Sequence, residues 1–289
     1  MPAQAQETVF ITGAATGIGA ATARKLAERG YRVFVGVHTT PPASTAAGIE
    51  NISIDVTDPD SIAAGAATVR ERIGTGGLRA VVNNAGVIVQ GPLELVPQRE
   101  LERQFAINTL GPVYVTQAFL PLLRAGRGRL INISAPTARV PVPLLGPIGA
   151  SKAALESLSA ALRGELAAWG IPVVLVEPGG TDTPIFASAT AAAEAALAAS
   201  DPARVALYRP HLEAFAKAAA KQSRGPVEPV ADAVVTAIEA QRPRRRYSSG
   251  NGVRLFGALA HVPIGLRERL VASAFGLNRV TADGALDGR

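Results

Sequence analysis

The sequence contains no cysteine, which excludes disulfides and thiol catalysis, and its three histidines are too scattered to build a histidine metal site. No metal is expected. Charged residues make up only 18% of the 289 positions against 48% hydrophobic ones. That balance excludes disorder over most of the chain and suits one large domain with a buried core. The opening MPAQAQETVF has neither a basic n-region nor an apolar h-region, so it reads as lacking a secretory signal, and the expected setting is cytoplasmic. The stretch from Gln104 to Leu123 carries no charge over a membrane-spanning length. It also contains Gln104, Asn108, Thr109, Gly111, Pro112 and Gln117, so a buried core or interface helix is expected there and no transmembrane segment. Part of the net charge of +6 lies in RPRRRY, Arg242 to Tyr247. No recognisable nucleic-acid module surrounds it, so it reads as a solvated basic turn, with phosphate or membrane-surface contact as the alternative, and no nucleic-acid partner is expected.

What the sequence does have is alternation. Short β-branched runs, TVFITG, YRVFVGV, NISIDV, RAVVNNAG, GRLINIS and IPVVLVEPGG, alternate with longer helical patterns, as in βαβ units that build a parallel sheet covered on both faces. Helices stop at Gly30 in KLAERGY and at Gly170 in GELAAWGI, each glycine leading at once into a strand. The expected fold class is α/β: a single-domain, Rossmann-like, doubly wound parallel sheet whose nucleotide-binding core spans residues 1–180. Residues 181–225, with the Ala-rich ASATAAAEAALAAS and HLEAFAKAAAKQ, read as a substrate lid over the strand ends. Residues 226–289 form a C-terminal extension, where an apolar face mixed with Arg254, Arg267, Glu268 and Arg269 reads as a helical cover packed on the domain.

In VFITGAATGIG, Gly13, Gly17 and Gly19 lie between a strand and a helix. Glycines there permit a tight turn and close approach of a pyrophosphate to the free N–H groups and positive dipole end of the helix. The pattern TGxxxGIG differs from GxGxxG but stands in the same context. Together with Asp55 in SIDV, NNAG at Asn83 to Gly86, Asn108 in FAINTLG, Lys152 in ASK and EPGGTDTP from Glu177 to Pro184, it makes the chain resemble the short-chain dehydrogenase/reductase family over nearly its whole length. RPRRRYSSG followed by an apolar tail is similar to the retinol and hydroxysteroid dehydrogenase branch. The resemblance implies a nicotinamide nucleotide bound by Gly13, Thr16, Gly17, Ile18, Gly19, Asp55, Val56, Asn84, Ala85, Gly86, Lys152, Pro178, Gly179 and Thr183. Asp55 would hold the adenine and Thr183 the nicotinamide carboxamide. It also implies a lipophilic small-molecule substrate. A homodimer or homotetramer is expected, paired through the helices from Gln104 to Leu123 and from Ile148 to Ala168.

Two groups that the family uses are missing. Its proton-donating tyrosine stands four residues before the lysine, where this chain has Ile148, and its partner serine thirteen residues earlier, where this chain has Ala135. In that family the lysine holds the ribose and lowers the tyrosine pKa from about 10; for Lys152 only the first task remains. Asn108, which would extend a water chain from Lys152, has no donor to feed. Ser134 adjoins Ala135, but strand neighbours point to opposite faces, so only a local bulge would let it substitute. Tyr208 and His211 in VALYRPHLE are the candidates for a replacement donor brought in by the lid, or else ordinary polar residues of an amphipathic helix. The coenzyme is chosen after the second strand, where VGVHTTPP offers no acid and no arginine. His38 and Thr39 can donate to a phosphate, which favours NADP(H) over NAD(H).

The leading functional reading is an NADP(H)-dependent oxidoreductase that reduces a lipophilic imine, alkene or ketone without the tyrosine acid. An iminium already carries the charge that tyrosine would otherwise supply. One alternative is a redox-neutral cyclase, isomerase or dehydratase that keeps the nucleotide-binding fold as a scaffold. The other is a cofactor-binding partner without chemistry.

Overall fold

A computed structural model of the chain describes residues 6–38 and 46–281. Strands β1 Thr8–Thr12, β2 Arg32–Val37, β3 Ile49–Ser53, β4 Leu78–Asn83, β5 Arg129–Ile133, β6 Val173–Pro178 and β7 Arg246–Ser249 form one sheet of order β3-β2-β1-β4-β5-β6-β7. Every neighbouring pair is parallel. The order reverses between β1 and β4, so the binding crevice of this Rossmann-like sheet opens beyond Thr12 and Asn83. Among the described residues the helices are α1 Gly17–Glu28, α2 Pro59–Ile73, α3 Gln98–Phe105, α4 Gly111–Ala125, α5 Gly146–Glu165, α6 Pro184–Ala198, α7 Pro202–Ala220, α8 Glu228–Glu239, α9 Val253–Leu259 and α10 Ile264–Ala274.

Alternation along the strands sends side chains to two covered faces. Val9, Ile11, Val33 and Val35 pack with Leu26 of α1 and with Val234 and Ile238 of α8. Phe10, Phe34, Val81 and Leu130 pack on the other face with Ile62 and Val69 of α2 and Phe119 of α4. Phe10 and Phe119 stack with ring centroids 4.2 Å apart. Burial on both faces is why these strands read as unbroken apolar runs. Past the strand ends, Val140 and Val142 from the segment after β5 are buried with Val271 of α10 and with Phe275, and Phe215 of α7 stacks on Phe275 at 5.3 Å. The Ala-rich and C-terminal helices therefore meet over that segment.

Three stretches differ from the sequence expectation. Part of RPRRRY is no solvated turn: Arg246 opens β7, which pairs with Leu175 to Pro178. The sheet and the layer that α8 shares with α1 are thus completed by residues beyond 180. The polar RYSS gives no apolar run because an edge strand needs none. The Gln104 to Leu123 stretch is divided among the end of α3, a π-helical turn at Ala106–Leu110 and α4. Among the described residues no helix is long and apolar enough to cross a membrane. The Ile148 to Ala168 helix is α5 followed by a 3₁₀ turn, Ala167–Trp169, closed by Gly170 in the left-handed region at φ 63°.

Candidate active site

β1 ends at Thr12 and turns at Gly13, where φ is +64° and a Cβ would stand 2.6 Å from Ala85 Cα. Only glycine fits that turn. Thr12 Oγ1 accepts the N–H groups of Asn84 at 3.1 Å and Ala85 at 3.0 Å. Asn84 Nδ2 donates to the carbonyls of Thr12 at 3.0 Å and Gly13 at 2.9 Å. The turn after β1 and the NNAG segment after β4 are thereby bonded into one ledge at the switch point. Thr16, the cap residue of α1, makes no side-chain capping bond, and the first turn of α1 contains no acid. Its N–H groups and positive dipole end therefore suit a pyrophosphate. Ile18 packs on the core below. A Cβ on Gly17 would lie 3.1 Å from Thr183 Cγ2, and one on Gly111 3.1 Å from Val56 Cβ, so Thr183 and Val56 border the ledge and the start of α4. Pro178 pairs with Ser249, and the Gly179 N–H donates to the Ser249 carbonyl at 2.7 Å.

Lys152 is buried on the second turn of α5, and its Nζ donates to the Ile133 carbonyl at 2.7 Å. Burial lowers its pKa from 10.5 to about 8. An ammonium has three donors, and this is one. Asn108, in the π-helical turn, is fully buried; its Oδ1 accepts the Val87 N–H and its Nδ2 donates to the Val87 carbonyl, each at 2.9 Å. Turns of this kind insert a residue into a helix and recur at functional sites. Gln104 completes the clamp, accepting the Val89 N–H at 2.7 Å and donating to the Val87 carbonyl at 3.0 Å and to Ser151 Oγ at 3.2 Å. A Cβ on Gly86 would lie 3.3 Å from Asn108 Oδ1 and 3.8 Å from Lys152 Nζ. Gly86, Asn108 and Lys152 share one small space beside the ledge.

Ile148, 7% exposed, stands one turn before Lys152, and Ala135 immediately precedes a 3₁₀ turn at Pro136–Ala138. No hydroxyl occupies either position. Ser134 does not replace them: β5 stays in regular register with β6 through Ile133, and Ser134 Oγ donates to Glu156 Oε1 at 2.6 Å, towards α5. Ser134 belongs to a buried ionic cluster. Glu156 accepts Arg246 Nη1 at 2.7 Å and Nη2 at 2.6 Å; Glu177, with no exposed surface, accepts Arg139 Nη2 at 2.8 Å and Ser248 Oγ at 2.7 Å. Burial raises the Glu156 pKa, but the bonds from Arg246 and Ser134 outweigh it and hold the carboxyl below its ordinary range. Gln104, Arg139, Glu156 and Arg246 escaped the sequence reading. The signal available was Glu156 at i+4 from Lys152, on the same face of a helix that the sheet covers. Thr137, whose hydroxyl is buried without a partner, and whose carbonyl would lie 3.0 Å from a Cβ on Gly149, was also missed.

Residues 7–194 match the family model described as short chain dehydrogenase. The chain belongs to the short-chain dehydrogenase/reductase family. It is 40% identical over 193 residues to estradiol 17-beta-dehydrogenase 2 of Rattus norvegicus, covering 63% of this chain and half of that protein. It is 34% identical over 263 residues to retinol dehydrogenase 5 of Mus musculus, covering 86% of this chain and 81% of that protein. Its fold matches a short chain dehydrogenase/reductase from Burkholderia phymatum in complex with NAD, at a TM-score of 0.75 and 23% identity over 91% of this chain and 95% of that one. It also matches a short chain dehydrogenase from Burkholderia cenocepacia J2315 in complex with NADP, at 0.72 and 24% over 92% and 97%. The uncapped start of α1 and the glycine turn at Gly13 fit the pyrophosphate of a nucleotide.

Several residues expected from the sequence to choose coenzyme and proton have other partners in the fold. Thr39 lies outside the described residues. His38 turns Nε2 to within 3.1 Å of Asp55 Oδ2, while Asp55 Oδ1 accepts the Thr57 N–H at 2.8 Å and hydroxyl at 2.7 Å. Burial raises the Asp55 pKa, yet the Thr57 bonds and His38 carry it below its ordinary value. The His38 donor read as a phosphate ligand thus faces a carboxylate. Tyr208 Oη donates to Glu94 Oε2 at 2.7 Å, and Arg204 pairs with the same carboxylate at 3.0 Å. These contacts fasten α7 to a 3₁₀ turn at Leu93–Leu95, and the bond to Glu94 raises the Tyr208 pKa. Its ring lies 5.7 Å from that of His211, whose Nδ1 is buried and without a partner. Among the described residues no hydrogen bond joins Tyr208 or His211 to Lys152 or Asn108, and the Tyr208 proton is already committed to Glu94.

Proposed function

We propose that the protein is an NADP(H)-dependent oxidoreductase of a lipophilic carbonyl or imine compound, or of the matching alcohol or amine, in which Lys152 moves the proton that a tyrosine moves elsewhere in the family. The nicotinamide, when bound, supplies or takes the hydride. Lys152 carries the reading: it is buried, has a single protein acceptor, and lies one turn from Ile148. As an ammonium it donates to the oxygen or nitrogen that gains electrons and becomes a neutral amine; in the reverse direction the amine takes the proton back. A pKa of about 8 makes both forms available near neutrality. Asn108 and Gln104 hold the Val87–Val89 segment that follows NNAG, against which substrate and nucleotide would lie. Ile148 and Ala135 put apolar side chains where the family's hydroxyls would stand, in keeping with the retinol and estradiol named in two relatives. NADP(H) is the favoured coenzyme because VGVHTTPP itself contains no acid to repel a 2′-phosphate, and the carboxylate beside His38, Asp55, is held by the Thr57 N–H and hydroxyl.

The test combines the purified protein with NADPH and a panel of lipophilic ketones, imines and enones, following reduced-cofactor absorbance and product mass together. The expected result is cofactor consumption matched to product, with the reduction rate falling above about pH 8 as the ammonium is lost. Lys152→Arg, which keeps the charge but cannot release a proton, should lose about 100-fold or more in rate. Product without consumption would assign the redox-neutral reading, and binding alone the non-catalytic one.

A further inference from the structure

A second pocket lies at the opposite edge of the sheet. β6 and β7 begin there, whereas the candidate active site lies beyond the strands' C-terminal ends. Its volume is about 360 Å³, within the range of small-molecule sites. Arg163, Arg244 and Arg245 line it beside the apolar Ile171, Pro172 and Pro243. Arg163 Nε donates to the Val173 carbonyl at 2.8 Å, which fixes the guanidinium at the pocket wall and leaves its two terminal nitrogens available. Among the described residues no carboxylate forms an ion pair with Arg163, Arg244 or Arg245. Glu156, the acid that acts on Arg163, is taken by Arg246. Arg245 and Arg246 depress the Arg163 pKa after burial does. Three cations gathered beside an apolar surface with no acid among them repel one another, and a bound anion would relieve that repulsion.

We propose that this pocket is a binding site for a phosphate monoester, whose dianion the three guanidinium groups hold and whose organic part rests on Ile171, Pro172 and Pro243. Arginine forks match phosphate oxygens in pairs, and three unpaired positive charges suit a doubly charged group better than a carboxylate. The source is either a free phosphate compound or a phospholipid headgroup, and the chemistry recognised is the same.

Trp169, the chain's single tryptophan, stands beside Gly170 of the pocket wall, 53% exposed and with the Arg124 guanidinium 4.4 Å from its ring. Its fluorescence therefore reports on this site locally. The experiment titrates Trp169 fluorescence with inorganic phosphate against chloride at constant ionic strength. Parallel titrations use phosphatidylcholine vesicles with and without phosphatidic acid. The expected result is a saturable change with phosphate that is weakened about tenfold or more in Arg244→Gln/Arg245→Gln, two exposed positions whose replacement leaves the thermal melting unchanged. A response to phosphatidic acid vesicles alone, with the same loss in the double variant, assigns the headgroup as the source. The proposal is overturned if neither probe gives a saturable change, or if the double variant responds as the parent does. Phosphate taken up at the nucleotide ledge would show that second pattern, because it does not depend on Arg244 or Arg245.

Discussion

At the residue scale the proposed chemistry rests on two positions. Ile148 and Ala135 carry no hydroxyl to hold a substrate oxygen, while Lys152 and Asn108 share one small space beside Gly86. Ile148→Tyr with Ala135→Ser should therefore create or raise ketone reduction by about 100-fold or more, measured as cofactor consumption. The native reaction should weaken because two hydroxyls would enter an apolar wall. Unchanged native activity with no gain in ketone reduction would show that these positions do not face the substrate. Lys152 makes a second, separate expectation. Its folded pKa of about 8 lies below the unfolded 10.5, so keeping it charged in the fold costs on the order of 3 kcal/mol below pH 8, and the cost vanishes as pH rises from about 8 to 10.5. Without nucleotide, Lys152→Met should be more stable than the parent by about 2 kcal/mol at pH 7, after loss of the bond to the Ile133 carbonyl. The difference should be gone near pH 10.5, and urea unfolding across that range checks it. The depressed pKa was not legible in the sequence, since ASK alone does not say that the fold closes over the Lys152 ammonium.

Connections between elements matter as much as the elements themselves. The Glu156, Arg246, Glu177 and Arg139 cluster ties α5, β7, β6 and the turn after Ala135 into one unit. Glu177→Ala should cost about 3 kcal/mol, the low end for a broken buried pair, because Arg139 and Arg246 are about a quarter exposed and regain some hydration. Chemical denaturation gives the value, and a cost under about 1 kcal/mol would mean the arginines are already solvated. Glu156 sets the pH sense of the same unit. Its folded pKa lies below the ordinary 4.5, so its contribution is complete above that value and is lost as pH falls through the lower one. All six apolar strands were legible because β-branched runs bounded by glycines leave few other options. β7 was not, because RYSS owes its strand state to pairing with Leu175 to Pro178 rather than to its own pattern.

For the whole molecule, surface left uncovered by one chain points to assembly. Leu110 before α4 is 43% exposed and Leu158 on α5 is 39% exposed, on the two helices through which relatives are expected to pair. Light scattering at micromolar concentration should give a mass of two or four chains, and Leu158→Glu should shift it towards one. A single-chain mass for the parent protein would refute this.

The sequence by itself determined the order of strands and helices, the glycine turn at Gly13 and the residues, without a hydroxyl, at positions 135 and 148. Each of these depends on local spacing, on backbone freedom, or on which residue stands at a counted position. Only the tertiary structure decided where the polar side chains spend their hydrogen bonds. It commits Ser134 to Glu156, Tyr208 to Glu94 and His38 to Asp55, and it gathers Arg163, Arg244 and Arg245 with no ion-paired acid among the described residues. Those pairings join residues that the fold alone brings close, and a donor takes the acceptor that packing sets beside it.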